Sequence, residues 1–203
     1  MTTTIRKDRK ITPVRTDIGE GSWIDYYQDA WNLQPAWWDE LMALRPVGKR
    51  GVLFNNPVPR DLQTYGHSYK FSGKNHDALP IPPILQKFID RATLITGVHF
   101  NMALVNWYMD ENDSISPHSD DEKEIALDSD GNTWPVACFS FGQERKFVMK
   151  SKQKGSRSVS FSLAPNSLVV MGGACQKTHK HSIPKSKVHC GVRISVTMRV
   201  FKE

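Results

Sequence analysis

The sequence predicts an α+β fold, in which helices buttress one sheet of a jelly roll or two-sheet barrel. Helical patterns are confined to the first half of the chain, and seven short β patterns follow from residue 99 onward. Turn residues separate these β patterns, as is typical of closed or two-sheet antiparallel architectures. Helices that precede a run of strands indicate separate α and β layers rather than an alternating parallel sheet.

The positions of proline and glycine and the distribution of charge indicate the first elements of the chain. Residues 1–20 are polar, contain five Lys and Arg residues and predict a flexible basic arm, which leaves 21–203 as a single domain of ordinary size. In "PAWWDELMAL", Pro35 stands where the first turn of a helix tolerates proline. The stretch "VLFNNPVPRDLQTYG" predicts a loop or hairpin, and "SYKFSG" predicts a short strand.

The most regular helical pattern is "PPILQKFIDRATLITG". Its apolar residues recur from Ile84 to Ile95 near the spacing of one helix face, and Gly97 ends the pattern. The β patterns that follow are "FNMALVNWYM", "VACFSFG", "RKFVMKS", "SVSFSL", "SLVVMGG", "KHSIP" and "RISVTMRVF".

Composition narrows the class of protein. The net charge of +6 is compatible with a polyanionic partner such as nucleic acid, although many proteins without such a partner are equally basic. The three cysteines are odd in number and lack CxxC spacing, which disfavours a disulfide framework or a structural zinc site. No apolar run is long enough to cross a bilayer, and "MTTTIRKDRK" lacks a secretory signal's apolar segment, so we expect a soluble intracellular protein.

A candidate metal site begins at His118 and Asp120, and a second His-rich stretch, "THKHSIP", lies further along the chain. Residues two apart in an extended segment project to the same side, so one strand end can offer both groups to one metal. Two imidazoles and one carboxylate form the facial triad of non-heme Fe(II) sites. His179 and His181 alternate along one strand, so the pattern leaves the third ligand open between them. Alone, His118 and Asp120 are also typical of a solvated polar loop.

A candidate anion site lies in the last strand, "GVRISVTMRVF". Alternation places Arg193, Ser195, Thr197 and Arg199 on one face of this strand. Buried arginines need an anionic partner, and a small dicarboxylate would suit because guanidinium binds carboxylate through two hydrogen bonds. An edge strand with two solvated arginines is the alternative. The basic turn "KSKQKGSRS" is likewise open between a solvated turn and a phosphate contact.

Taken in order, these segments resemble the AlkB family of Fe(II)/2-oxoglutarate dioxygenases, which dealkylate nucleic acids, and most closely its animal DNA-repair members. The resemblance implies a double-stranded β-helix (jelly-roll) core with N-terminal buttressing helices and a nucleotide-recognition lid at about residues 50–75. It runs from about Pro57 to Phe201 and rests on "VPRDLQTYG", "YKFSG", "FNMALVNWYMDENDSISPHSDDE", "PVACFSFGQERKF", "SLVVMGGA", "HSIP" and "RISVTMRVF".

The resemblance implies roles for individual residues. His118, Asp120 and His181 would be the iron ligands. Arg199 would grip the distal carboxylate of 2-oxoglutarate, and Arg193 would border the pocket near the metal. The full 2-oxoglutarate set would be Asn106, Tyr108, Arg193, Thr197 and Arg199.

The same resemblance implies a set of substrate contacts. A lid would close over a flipped base, two acids would lie on the polar side of that base, and one arginine would lie near the metal pocket and the nucleic-acid backbone. In that order these residues are Tyr69, Phe71 and Ser72, then Asp121 and Glu122, then Arg145.

The implied function is oxidative demethylation of N-alkylated bases, such as 1-methyladenine and 3-methylcytosine, in DNA, with RNA as a further candidate. Fe(II), 2-oxoglutarate and O₂ would be required, and formaldehyde, succinate and CO₂ released. A monomer acting on nucleic acid in the cytoplasm or nucleus, without a membrane, is expected. Pro117 before His118, the Asp-rich segment before "PVACFSFG" and the hairpin "VLFNNPVPR" depart from the family pattern, and the hairpin leaves duplex preference open.

Two other functions remain open at this point. One keeps the iron and hydroxylates a protein side chain or a small molecule. The other is a nucleic-acid-binding module without catalysis, which would need neither the triad nor the two late arginines.

Overall fold

The computed structural model describes residues 11–47, 52–53, 56–71, 74–156 and 158–203. In chain order the elements are β1 (Val14–Gly19), β2 (Ser22–Tyr27), α1 (Pro35–Ala43), β3 (Val52–Leu53), β4 (Asn56–Pro57), β5 (Asp61–Tyr65), β6 (Tyr69–Phe71), β7 (Lys74–His76), α2 (Pro83–Thr96), β8 (Met102–Tyr108), β9 (Ile115–His118), β10 (Val136–Gly142), β11 (Arg145–Ser151), β12 (Ser158–Leu163), β13 (Ser167–Gly173), α3 (Cys175–Thr178), β14 (His179–Ile183) and β15 (Arg193–Arg199).

Two antiparallel sheets form the body of the fold. The larger sheet has seven strands in the order β1-β2-β13-β10-β15-β8-β5, and the smaller has four in the order β12-β11-β14-β9. The two hairpins β3-β4 and β6-β7 lie outside both sheets. In the second half the chain passes repeatedly between the two sheets, with β11 and β12 as a hairpin within the smaller one, which is the jelly-roll arrangement that the sequence predicts. All seven predicted β segments form strands.

Apolar side chains fill both faces of the larger sheet. Between the sheets, Val136 and Met171 pack in one buried cluster with Phe147 and Leu163 of the smaller sheet. On the opposite face, a second cluster joins the larger sheet to both helices, with Leu41 from α1, Leu85 and Phe88 from α2, and Phe139 and Ile194 from the sheet. The helices therefore cover one face of the larger sheet, while the other face is left for the interior of the jelly roll.

Helix α2 has the limits that its sequence predicts. Pro83 stands in its first turn, and Gly97 caps its end with φ of 73°, a left-handed conformation that glycine adopts without steric cost. The Gly97 N–H donates to Thr93 O at 2.8 Å, which satisfies one of the carbonyls left over at the helix end. None of the described helices is long and apolar enough to cross a membrane.

The N-terminal segment departs from the predicted arm. Residues 14–19, which the sequence assigns to a flexible arm over 1–20, form β1 and pair with β2. Arg15 donates two hydrogen bonds to the Asp25 carboxylate, at 2.6 and 2.7 Å, and its guanidinium lies 4.0 Å from the Trp23 ring centroid. An edge strand with one solvated face can be as polar as a loop, so the polar sequence of β1 does not distinguish it from a flexible arm. Residues 1–10 lie outside the described residues.

The predicted lid region, about residues 50–75, is not one continuous element. Its centre is β5, the edge strand of the larger sheet, and the hairpins β3-β4 and β6-β7 flank this strand. Because β5 pairs with β8, both hairpins are attached next to the strand that carries Asn106 and Tyr108.

Candidate active site

The metal site predicted from the sequence lies where β9 of the smaller sheet ends opposite the middle of β14. Strand β9 ends at His118, β14 carries His181, and the two histidines are paired opposite each other. Nε2 of His118 lies 3.8 Å from Asp120 Oδ1, and Nε2 of His181 lies 3.7 Å from Asp120 Oδ2. The ligand atoms of all three residues lie within 4.8 Å of one another. Folding therefore brings the third ligand from a neighbouring strand, as the spacing predicts.

Geometry also decides between the two histidines of β14. His179 is buried, but its Nδ1 lies 2.7 Å from Thr178 Oγ1 and its Nε2 lies 4.0 Å from the Glu20 carboxylate. His179 therefore belongs to a polar network with Thr178 and with Glu20 of the turn between β1 and β2, and it is not part of the metal cluster. Pro117 lies on β9, an edge strand of the smaller sheet, where a residue without an N–H is tolerated.

The three residues of the cluster are in the protonation states that metal binding requires. Burial lowers the pKa of His118, and burial together with the neighbouring His118 lowers the pKa of His181 to about 3. Burial alone would raise the pKa of Asp120, but the charge of Arg199, followed by that of the histidines, lowers it to about 2. At neutral pH the site thus offers two neutral imidazoles and one carboxylate, the forms that coordinate a divalent cation.

The environment of Asp120 fits a bound cation. Its side chain is 0% exposed, and its Oδ1 accepts a hydrogen bond from Arg199 Nη2 at 2.5 Å. Its Oδ2 is buried and has no hydrogen-bond partner among the described residues. Leaving a buried, ionised oxygen without a partner is costly, and a metal ion would remove that cost. Two imidazoles and one carboxylate also match the donor set of Fe(II) sites that keep coordination positions for further ligands.

A cavity between the sheets joins the metal cluster to the predicted co-substrate residues. The five residues of the predicted 2-oxoglutarate set lie on two neighbouring strands, β8 and β15, and all line this cavity together with the three metal ligands. In register, Arg193 lies opposite Tyr108, and Ser195 lies opposite Asn106. The last strand is therefore an interior strand of the larger sheet, which rules out the alternative of a solvated edge.

The two arginines of β15 lie in the opposite order to that predicted, with Arg199 rather than Arg193 beside the metal cluster. Arg199 is bonded to Asp120, so it lies at the metal end of the cavity. Arg193 is six residues earlier, about 20 Å along the strand. Its Nη2 donates to Ser140 Oγ at 2.8 Å, while its Nε and Nη1 are buried without a partner among the described residues. Alternation places both arginines on the cavity face but does not reveal which end of the strand meets the metal.

The cavity contains polar contacts that sequence reasoning did not find. Asn106 Oδ1 accepts a hydrogen bond from Arg60 Nε at 2.7 Å, which orients the amide of Asn106. Thr197 Oγ1 lies 3.3 Å from Cys138 Sγ, and both residues line the cavity. Arg60, Cys138 and Ser140 are single residues in unremarkable local patterns, so only the fold brings them to the site.

The six predicted substrate contacts have different outcomes. Asp121 is exposed and its carboxylate lies 3.7 Å from Lys152 Nζ. Glu122 has a buried Oε2 without a partner among the described residues, and burial raises its pKa to about 7. Both acids follow directly after the metal ligand Asp120. Ser72 and the side chains of Tyr69 and Phe71 lie outside the described residues, so their lid role stays a prediction.

Arg145, for which the resemblance implies a substrate contact, is bonded to backbone carbonyls within the protein. It is 3% exposed, and its guanidinium donates to three backbone carbonyls, Asp110 O at 3.1 Å, Asp113 O at 2.7 Å and Pro184 O at 2.8 Å. Its guanidinium carbon lies 5.6 Å from the Tyr108 ring centroid, behind the cavity wall. Arg145 therefore joins the loop after β8 to the end of β14 through hydrogen bonds from both of its Nη atoms to backbone carbonyls.

Arg145→Met is therefore expected to reduce stability rather than substrate selectivity. Each buried carbonyl left without its donor costs on the order of 1–3 kcal/mol, so the melting temperature should fall clearly. Thermal unfolding of this variant and of Lys146→Met, at the exposed neighbouring position, checks the expectation. A stable Arg145→Met protein that loses only oligonucleotide-dependent turnover would restore the substrate role.

Comparisons with known proteins agree with this site. A sequence profile of the 2OG-Fe(II) oxygenase superfamily matches residues 27–199. The chain is 37% identical over 152 residues to "DNA oxidative demethylase ALKBH2" of Bos taurus, which covers 70% of this chain and 53% of the relative. It is 30% identical over 172 residues to "Alpha-ketoglutarate-dependent dioxygenase alkB homolog 3" of Rattus norvegicus, covering 80% of this chain and 55% of the relative. The chain thus spans about half the length of these curated relatives.

A solved structure agrees with the fold. The structure of OsALKBH1 superimposes with a TM-score of 0.60 at 12% sequence identity, covering 92% of this chain and 100% of that chain. This likeness confirms the predicted double-stranded β-helix. The profile extends from the end of β2 to the last residue of β15 and so includes both metal-binding strands and the arginine strand. Together with the matches to ALKBH2 and alkB homolog 3, it shows that the chain belongs to the 2OG-Fe(II) oxygenase superfamily and, within it, to the AlkB family.

Proposed function

We propose that this protein is an Fe(II)/2-oxoglutarate-dependent dioxygenase that removes methyl groups from N-alkylated bases, such as 1-methyladenine and 3-methylcytosine, in DNA. One observation carries the proposal: in a chain similar to DNA oxidative demethylases, the His-Asp-His cluster and two buried arginines line one cavity. A non-catalytic binding module would need neither feature. RNA is a further candidate substrate.

The residues of the chain hold the reactants in this proposal. His118, Asp120 and His181 hold Fe(II), and Arg199 keeps the Asp120 carboxylate ionised and in place. Arg193 has two buried nitrogens available for a carboxylate at the far end of the cavity, where a guanidinium can bind the dicarboxylate co-substrate. Asn106, Tyr108 and Thr197 complete the wall of the cavity.

When bound, the iron supplies the oxidation in which 2-oxoglutarate and O₂ yield succinate, CO₂ and a hydroxylated N-alkyl carbon, whose hemiaminal then releases formaldehyde. The protein contributes binding, orientation and exclusion of competing water. The buried position of Asp120, at 0% exposure, supports such a dry metal site.

A duplex base must leave the stack to reach a buried metal, so a lid over the extruded base is required. The hairpins β3-β4 and β6-β7 flank β5 at the edge of the larger sheet, beside the strand that bears Asn106 and Tyr108. This attachment supports the assignment of Tyr69, Phe71 and Ser72 to the lid. Glu122, just after the segment 118–120 that carries two metal ligands (the metal turn), is suited to reading the polar edge of the base. The net charge of +6 favours binding of a polyanionic substrate. In this proposal the protein acts as a monomer in the nucleus or cytoplasm.

A panel of oligonucleotides tests this function. Single- and double-stranded DNA and RNA, with 1-methyladenine, 3-methylcytosine or no modification, are incubated with the protein, Fe(II) and 2-oxoglutarate. Methylated DNA should stimulate succinate formation and lose the mass of one CH₂ group, whereas unmodified DNA should do neither. His181→Ala serves as the inactive control. Succinate formation that no methylated nucleic acid stimulates would contradict the proposal and favour a protein or small-molecule substrate; nucleic-acid binding without any succinate would favour a binding module.

A further inference from the structure

A buried glutamine lies directly behind the metal turn. Gln176 belongs to α3, the short helix that joins β13 to the metal-bearing strand β14, and it is 2% exposed. Its Oε1 accepts the backbone N–H of Asp120 at 2.9 Å, and its Nε2 lies 3.8 Å from Met171 Sδ. The side chain contacts the backbone of a metal ligand without belonging to the metal cluster.

This contact matters because Asp120 lies beyond the regular part of the sheet. Strand β9 ends at His118, and the pairing with β14 ends where His118 meets His181. From there two side chains replace the ladder: Ser119 Oγ donates to His179 O at 2.8 Å, and Gln176 accepts from the Asp120 N–H. A buried N–H without a ladder partner needs such an acceptor. The position of the Asp120 backbone is therefore fixed by Gln176.

A second contact holds Gln176 itself. Lys152, at the start of the turn after β11, donates from Nζ to Gln176 O at 2.9 Å and lies 3.7 Å from the Asp121 carboxylate. Gln176 thus connects three parts of the protein: its side chain contacts the metal turn, its backbone belongs to α3, and its carbonyl accepts from Lys152 just after β11. Because the amide of Gln176 is neutral, it accepts the N–H without placing another negative charge beside the buried Asp120.

From this geometry we infer that Gln176 is a positioning residue: through the Asp120 backbone it sets where the Asp120 carboxylate lies and so how tightly the site binds its metal. The inference rests on the metal site of the proposed function but not on the identity of the substrate. Groups that orient metal ligands in this way change metal affinity by about 10- to 100-fold when they are removed.

Titration of the metal-free protein with Co(II), followed by its d–d absorption, tests the inference without substrate. Gln176→Met keeps the length of the side chain and removes the acceptor, so its dissociation constant for Co(II) should rise about 10- to 100-fold. Gln176→Glu keeps an accepting oxygen; its added negative charge costs stability in the metal-free protein but attracts a cation, so this variant should bind Co(II) at least as tightly as the parent protein. Cys175→Ala, in the same helix at a position 1% exposed, is the packing control and should lower the melting temperature with unchanged Co(II) affinity.

The possible outcomes are distinct. Gln176→Met that binds Co(II) like the parent, or Gln176→Glu that binds as weakly as Gln176→Met, would overturn the role of Gln176 and leave the metal site standing. A parent protein without any Co(II) spectrum would remove the metal site and the role of Gln176 together. A parent that binds Co(II) but fails to demethylate would contradict only the proposed function.

Discussion

His181→Ala is expected to abolish Fe(II)-dependent turnover and to weaken metal binding, whereas His179→Ala should keep most of both. The two histidines share one face of β14, but only His181 lies in the metal cluster, with Nε2 3.7 Å from Asp120 Oδ2. His179 is held by Thr178 instead. Losing one of three protein ligands leaves an incomplete triad. Succinate formation and Co(II) affinity, measured on both variants, check the expectation.

The same loss is expected for the other two ligands, with one difference. His118→Ala removes a group from the edge of the smaller sheet and should leave the fold intact. Asp120→Ala also leaves Arg199 buried without its carboxylate, and breaking such a pair costs about 3–5 kcal/mol of stability. Asp120→Asn is the better variant because it keeps the shape and an acceptor. An inactive His179→Ala beside an active His181→Ala would show that the third ligand is wrongly assigned.

Arg193→Ala is expected to raise the requirement for 2-oxoglutarate steeply. A lost pair between a buried arginine and a carboxylate costs about 2–5 kcal/mol, which corresponds to roughly 30-fold to several thousandfold in affinity. Arg193→Lys should recover only part of this affinity because lysine lacks the planar fork of guanidinium. The Michaelis constant for 2-oxoglutarate, measured in turnover without a nucleic-acid substrate, gives the answer.

Arg199→Met is the matched comparison on the same strand. Without Arg199, the charge that most opposes the effect of burial on the pKa of Asp120 is lost, so that pKa should rise. Asp120 has a lower pKa in the folded protein than in the unfolded chain. Its ionised carboxylate therefore stabilises the fold at a pH above the unfolded pKa, and this stabilisation is lost as the pH falls toward 2. Arg199→Met should therefore weaken Co(II) binding and lower the melting temperature at neutral pH. A raised 2-oxoglutarate requirement in Arg199→Met alone, with Arg193→Ala unaffected, would restore the roles first predicted.

Local patterns were sufficient for the elements that fill the core. The spacing from Ile84 to Ile95 with its terminal Gly97 predicts α2, and all seven late β patterns form strands. The pattern of His118 and Asp120 predicts a metal site because strand geometry alone places residues two apart on one side. Family resemblance was needed to choose His181, since alternation treats His179 and His181 alike.

The remaining features depend on which segments, distant in sequence, lie next to each other in the folded protein. Arg193 and Arg199 are equivalent by alternation, and only the closure of the jelly roll places Arg199 beside Asp120. Arg145 has the charge of a phosphate contact, yet two carbonyls of the loop after β8 and one that follows β14 converge on its guanidinium. Gln176 occupies a four-residue helix that no periodicity could reveal. Such contacts join residues distant in sequence, so the local pattern around each one does not contain them.

The coupling between co-substrate oxidation and base repair tests the central claim most directly. A single-stranded DNA oligonucleotide with one 1-methyladenine is incubated with the protein, Fe(II), 2-oxoglutarate and O₂, and succinate, formaldehyde and unmodified adenine are measured in one reaction. We expect formaldehyde and restored adenine in equal amounts and succinate in at least that amount, with none formed when iron is omitted or when His118 is replaced by Ala. Succinate without formaldehyde or restored adenine, from a protein that binds iron, would contradict the account.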